Sequence, residues 1–176
     1  MSSTASSADG QSAPKYNMLS WRRFHLDCQI LSSLIEERIP RADVKGLISI
    51  ARGGLAPGVL LAQFLDVRYN ETLCVKSYHG TNERSDVELV KGIAQEVLDC
   101  QGEGFVVVDD LSDSGETLRF ARSLVPKAVF CTVYSKPKGA SAPDFFAREI
   151  PQDEWIVFPW ETVLDEEDAE KVTMLP

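Results

Sequence analysis

Residues 105–118 read FVVVDDLSDSGETL. Phe105, Val106, Val107 and Val108 form an apolar run of the kind that fills a buried parallel strand, and open α/β sheets bind their ligands at the carboxyl ends of such strands. Two adjacent carboxylates, Asp109 and Asp110, follow the run, and then a small-residue loop leads into a helix start at Glu116 and Thr117. The loop offers backbone N–H groups, hydroxyls and a helix N-terminus, which together suit a phosphate. No lysine follows Gly115, so this is not a Walker-type loop. Neighbouring carboxylates suit vicinal sugar hydroxyls or the water of a divalent metal. Phosphate, diol and metal in one segment point to a phosphorylated ribose.

Working outward, the pattern repeats. Phe24, Cys28, Leu31 and Ile35 recur at helical spacing after Ser20, a plausible N-cap, and Pro40 closes that helix. His25 sits beside the stripe and reads as a surface or partly buried helical residue. Residues 46–50 (GLISI) form a short apolar strand entering Arg52-Gly53-Gly54, and Pro57 opens a helix carrying Val59, Leu60, Leu61 and Leu65. Residues 67–69 and 72–75 are expected as two further strands. Residues 79–104 are polar and irregular, with Val87, Leu89, Val90, Ile93 and Val97 available for a ribbon and a short helix. Residues 128–134 (AVFCTVY) form a buried strand, and residues 153–159 (DEWIVFP) hold the last one. Strands alternating with helices imply a mostly parallel α/β sheet flanked by helices and joined by right-handed crossovers.

The chain has 176 residues, 44% hydrophobic and 26% charged, a composition that suits one soluble domain with a sizeable core. Its boundaries are expected at a disordered N-terminal tail, 1–17, a catalytic domain, 18–161, and an acidic C-terminal tail, 162–176. The formal net charge of −9 argues against nucleic acid as a partner, since such binders present a basic face. It also means that a polyanionic substrate needs local cations to approach. Cys28, Cys74, Cys100 and Cys131 form no CxxC pair, so their spacing argues against a zinc or disulfide framework and fits a cytoplasmic location. The serine-rich start lacks the apolar stretch of a signal peptide.

The segment 105–118 resembles the phosphoribosyl-pyrophosphate loop of type I phosphoribosyltransferases, and later residues are similar to their xanthine-guanine (6-oxopurine) branch. The resemblance runs over most of residues 20–161. It implies the type I fold, a mostly parallel twisted sheet flanked by helices with a small hood and flexible loop. It implies transfer of 5-phosphoribosyl from phosphoribosyl pyrophosphate to guanine, xanthine or hypoxanthine, a purine-salvage reaction with Mg²⁺ as cofactor. Homo-oligomers, dimers or tetramers, are usual in the family, and peripheral inner-membrane attachment occurs among relatives. Alternatives are a regulator on the same fold that senses phosphoribosyl pyrophosphate or nucleotide, and an enzyme acting on adenine or orotate.

Residue by residue, the resemblance gives Asp113, Ser114, Gly115, Glu116 and Thr117 to the 5′-phosphate, with Glu116 standing where glycine is common. Asp109 and Asp110 face the ribose hydroxyls, and Asp110 the metal. Asp113 has a second task below N7 of the base, as an acid–base group. Arg52, Gly53 and Gly54 match the pyrophosphate loop, where a backbone approaches phosphate because no Cβ intervenes, and a cis peptide is implied beside Arg52. Arg84, near Ser77 and Tyr78 at the start of the mobile hood, is expected to reach the pyrophosphate on closure. Lys136 matches the lysine on the exocyclic oxygen. An ammonium only donates hydrogen bonds, so it accepts a 6-oxo group and rejects a 6-amino group. Trp155, in the segment IPQDEWI, is expected to stack on the base, and Ile156 to meet the base edge through its backbone. Trp160 reads as structural, and His79 has no assignment.

Overall fold

The computed structural model describes residues 15–78, 86–161 and 172–174. In chain order these form β1 (Lys15–Met18), α1 (Trp21–Arg38), a 3-10 turn (Arg41–Asp43), β2 (Gly46–Ala51), α2 (Leu55–Phe64), β3 (Asn70–Tyr78), β4 (Asp86–Lys91), α3 (Gln95–Asp99), β5 (Phe105–Ser112), α4 (Glu116–Leu124), β6 (Val129–Ser135), β7 (Phe145–Glu149), β8 (Glu154–Val157) and β9 (Val172–Met174). Two compact units result, residues 21–152 and a smaller one from both ends of the chain.

The larger unit holds a six-stranded sheet of order β4-β3-β2-β5-β6-β7. Every neighbouring pair is parallel except β3 with β4. β2 and β5 are apolar runs because both of their faces are covered. Ile48, Ile50, Val107 and Phe130 join a buried cluster with Val97 of α3 and with Leu118 and Ala121 of α4. Their sequence neighbours Leu47, Val106, Val108 and Cys131 are also fully or almost fully buried, and alternation along a strand sends them to the opposite side. Helices α1 and α2 pack against each other, α1 also on β6 and β7, α2 on β2, β3 and β5. The expected stripe of α1, Phe24, Cys28, Leu31 and Ile35, is wholly buried, each such side chain contributing about 1.5–3 kcal/mol.

Strand order reverses between β2 and β5. From β2 the chain moves outward through α2 to β3 and β4, then returns to lay β5 on the other side of β2. That switch point opens a crevice at the strands' carboxyl ends, where Arg52, Asp109 and Asp110 emerge.

The structure departs from the sequence reading in identifiable places. Residues 67–69 are not a strand. Asp66 takes φ 53°, and the Val67 amide bonds the Ala62 carbonyl, so this stretch closes α2, and a single strand, β3, follows. Helix α2 starts at Leu55, ahead of Pro57, whose missing N–H costs nothing in a first turn. β7 went unread because FFARE has a mixed pattern and lies at a sheet edge. The ribbon and short helix expected between 86 and 99 are present as β4 and α3.

The smaller unit is a parallel three-stranded sheet of order β8-β1-β9. Lys15 lies opposite Glu154 in the register, and the Glu154 carboxylate accepts bonds from the Lys15 ammonium and the buried Asn17 amide. β1 therefore begins inside the stretch expected as a tail to residue 17, and β9 lies inside the expected acidic tail. Both strands are short, β1 pairing with β8 and β9 with β1, which leaves no periodic signal. Residues 1–14 and 162–171 lie outside the described residues.

Candidate active site

β5 carries its first five residues buried and then releases its chain into the loop. Asp109 remains in the interior, and its Oδ1 accepts the Asp110 amide at 3.0 Å. Burial, and after it the charge of Asp110, push the Asp109 carboxyl well above the ordinary carboxylate range, against bonds from the Asp110 and Gly54 amides. Asp110 is partly exposed. Gly115 turns the chain with φ 80°, a left-handed conformation that glycine adopts without strain. α4 begins immediately after it with no side-chain cap bond at the N-cap. First-turn N–H groups of a helix have no partner within the helix; here the Glu116 amide donates to the Ser114 hydroxyl at 3.5 Å, and the turn borders a cavity of about 350 Å³. Asp109, residues 111–118, Lys138 and Gln152 line it. The loop expected to hold phosphate thus borders a concave cavity, with Glu116 on its wall.

The turn from β2 to α2 brings in the second expected motif. The peptide between Ala51 and Arg52 is cis, as the resemblance implies. Arg52 is exposed. A Cβ on Gly53 would stand 2.3 Å from Oδ2 of Asp110, and one on Gly54 2.4 Å from the Val108 carbonyl. The glycines therefore let the β2 turn lie directly on the twin acids. Gly53→Ala is expected to push Asp110 aside and lower kcat/KM for phosphoribosyl pyrophosphate by roughly 10–100-fold, since ångström-scale misplacement in a site has that size of effect. Steady-state kinetics in the diphosphate substrate decide, and an unchanged value would show that the contact is not functional.

β6 supplies the third motif. Its end is tied to β5 through the Lys136 amide, which donates to the Ser112 carbonyl at 2.9 Å. Lys136 is only 5% exposed, and its Nζ donates to Asp113 Oδ2 at 3.1 Å. The other Asp113 oxygen accepts from Gln152 Nε2 at 2.9 Å. The Asp113 side chain itself is 53% exposed, and its carboxylate is held from both sides. Gly139 packs against the backbone of the same loop. A Cβ there would lie 2.4 Å from the Ser112 carbonyl and 2.7 Å from that of Asp113.

The larger unit therefore gathers Gly53, Gly54, Asp109, Asp110, residues 113–117 and Lys136 around one crevice. Trp155 and Ile156 belong to β8 of the smaller unit, the indole 55% exposed and Ile156 buried. Arg84 and His79 lie outside the described residues, and Ser77 and Tyr78 end β3. Phe158 and Trp160 stack at 4.7 Å between ring centroids. Sequence reasoning missed the roles of Gly139 and Gln152. The first was visible only as a glycine after Lys136-Pro137-Lys138, the second only as part of IPQDEWI.

Comparison with known proteins agrees with this geometry. The model of the phosphoribosyl transferase domain matches residues 17–167. A xanthine-guanine phosphoribosyltransferase of Nitratidesulfovibrio vulgaris is 40% identical over 82% of this chain and 83% of its own length. One from Desulfotalea psychrophila is 38% identical over 82% and 85%. Among solved structures, a purine phosphoribosyltransferase from Pyrococcus horikoshii superposes with a TM-score of 0.70 at 28% identity, covering 85% of this chain and 96% of that one. The fold is the type I phosphoribosyltransferase fold, as the resemblance of residues 105–118 implied. With the family model matching residues 17–167, which include the cavity at 111–118 and the glycine turn, the chain belongs to the phosphoribosyl transferase domain family, beside the xanthine-guanine phosphoribosyltransferases.

Proposed function

We propose that the protein transfers 5-phosphoribosyl from phosphoribosyl pyrophosphate to a 6-oxopurine, giving the nucleoside 5′-monophosphate and pyrophosphate. Carrying this reading is the buried Lys136 ammonium, joined to Asp113 at the rim of the phosphate cradle. A group that only donates recognises a carbonyl oxygen, which guanine, xanthine and hypoxanthine all present at the 6-position.

Residues 113–117 hold the 5′-phosphate through amides and hydroxyls. Asp109 and Asp110 take the ribose hydroxyls. Arg52 with the Gly53 and Gly54 turn receives the pyrophosphate, and Arg84 adds a second guanidinium there. The exposed Trp155 ring offers the flat apolar face that a base stacks on, and the Ile156 backbone the polar groups for its edge. Two adjacent carboxylates, Asp109 buried and Asp110 partly exposed, fit a divalent cation. Mg²⁺ held by Asp110 together with substrate oxygens and water would supply charge neutralisation for the diphosphate.

In the reaction the bond from C1′ to the pyrophosphate oxygen breaks with its electron pair, and N9 of the purine forms the new bond. The proton carried on N7 passes to Asp113. No covalent enzyme intermediate is required, only positioning and electrostatic stabilisation. Purified protein with Mg²⁺ and phosphoribosyl pyrophosphate is expected to convert guanine, xanthine or hypoxanthine to nucleotide and to leave adenine unchanged. Absence of turnover with all three bases overturns the reading.

A further inference from the structure

We propose that Gln152 is the positioning residue of Asp113, holding its carboxylate in place while the base occupies Lys136. This rests on the function proposed above. The Gln152 amide is oriented by two bonds of opposite sense. Its Oε1 accepts the Lys138 amide at 3.0 Å, and its Nε2 donates to Asp113 Oδ1 at 2.9 Å. A backbone N–H can only donate, so the Lys138 bond fixes the amide with its NH₂ toward the carboxylate. Lys138 is itself fixed. It lies in the turn closed by the Gly139 amide on the Lys136 carbonyl at 2.9 Å, and Gly139 abuts the Ser112 and Asp113 carbonyls. The brace on Asp113 is therefore anchored to backbone at its far end.

The need for such a brace follows from the other bond. Asp113 is half-exposed, and Lys136 holds only its Oδ2. A 6-oxo group that takes another of the three ammonium donors draws the lysine toward the base and loosens its hold on Oδ2, at the moment when the carboxylate must meet the base. Gln152 takes the opposite oxygen and does not compete with the substrate. It is also neutral, so it orients the carboxylate without adding charge beside a group that must accept a proton.

Gln152→Glu separates this role from simple tethering. Glutamate keeps the length and still accepts from Lys138, but it turns an acceptor toward Asp113. The expected result is a fall in kcat of about 10–100-fold, with KM for phosphoribosyl pyrophosphate and the thermal midpoint unchanged. In an Asp113→Asn background the same substitution should add little further loss, because the effect runs through Asp113. A Gln152→Glu enzyme as fast as the parent overturns the proposal. So does a loss that appears mainly in KM for the diphosphate substrate, one that follows a lowered midpoint, or one that adds in full to that of Asp113→Asn. A parent enzyme with no 6-oxopurine turnover overturns the proposed function instead, so the two failures are distinct.

Discussion

Replacing Lys136 with alanine is expected to lower kcat/KM for guanine, xanthine and hypoxanthine by about 10²-fold or more while sparing KM for phosphoribosyl pyrophosphate. A site built to bond a particular polar group discriminates at that level because its loss leaves a buried partner unmatched. Two features of this lysine make the effect large. Its ammonium lies in the interior, at 5% exposure, where water replaces a lost bond poorly. It also bonds Asp113, so truncation disturbs the acid–base group as well as the base contact. Alanine further leaves the volume of the lysine stem empty, and Lys136→Met is the companion variant that keeps the stem and removes only the donor. Methionine is expected to match alanine in the loss of 6-oxopurine turnover and to narrow the preference for guanine over adenine. Initial rates with guanine and adenine in competition measure both. A methionine enzyme with parental rate and selectivity would place the base elsewhere.

How much of this could be read from the chain depends on where the physical constraint resides. The stretch 105–118 was legible because the demands of a buried strand and of a phosphate turn act on consecutive residues. Gly53 was legible as part of a glycine turn that resembles the pyrophosphate loop, but not as a neighbour of Asp110. Its contact with the Asp110 carboxylate depends on β2 and β5 being neighbours, which no local pattern states. Asp27 shows the same limit from another side. On an amphipathic helix an aspartate reads as solvated, yet Asp27 is fully buried. Its carboxylate meets the Tyr134 hydroxyl at 2.8 Å, Arg23 at 3.0 Å and Arg148 at 2.6 Å. Those partners come from β6, from α1 itself and from β7, so only the tertiary structure reveals the charge as matched. The network also fastens α1 to the strand that ends beside Lys136, through a tyrosine buried so deeply that its ionisation is pushed far up. β1 and β9 were illegible because a short polar strand is specified by the partner it pairs with. Gln152 was in view but without a role, since both groups it joins lie in other segments.

Asp113→Asn is expected to lower kcat by about 10²–10⁴-fold, the range typical for removal of a positioned acid–base group. The substitution is conservative in shape. An asparagine carbonyl can still accept from Lys136 or from Gln152, and the backbone of the loop, the αL turn at Gly115 and the start of α4 do not involve the side chain. Binding of the 5′-phosphate through amides and hydroxyls is therefore retained, and KM for phosphoribosyl pyrophosphate should stay within about threefold, well under the 1.4 kcal/mol that a tenfold change represents. What disappears is the capacity to take a proton from N7 as the new bond forms at N9. Single-turnover rates isolate the chemical step from product release. An Asp113→Asn enzyme with parental single-turnover rate would remove proton transfer from this residue and leave it only the phosphate loop.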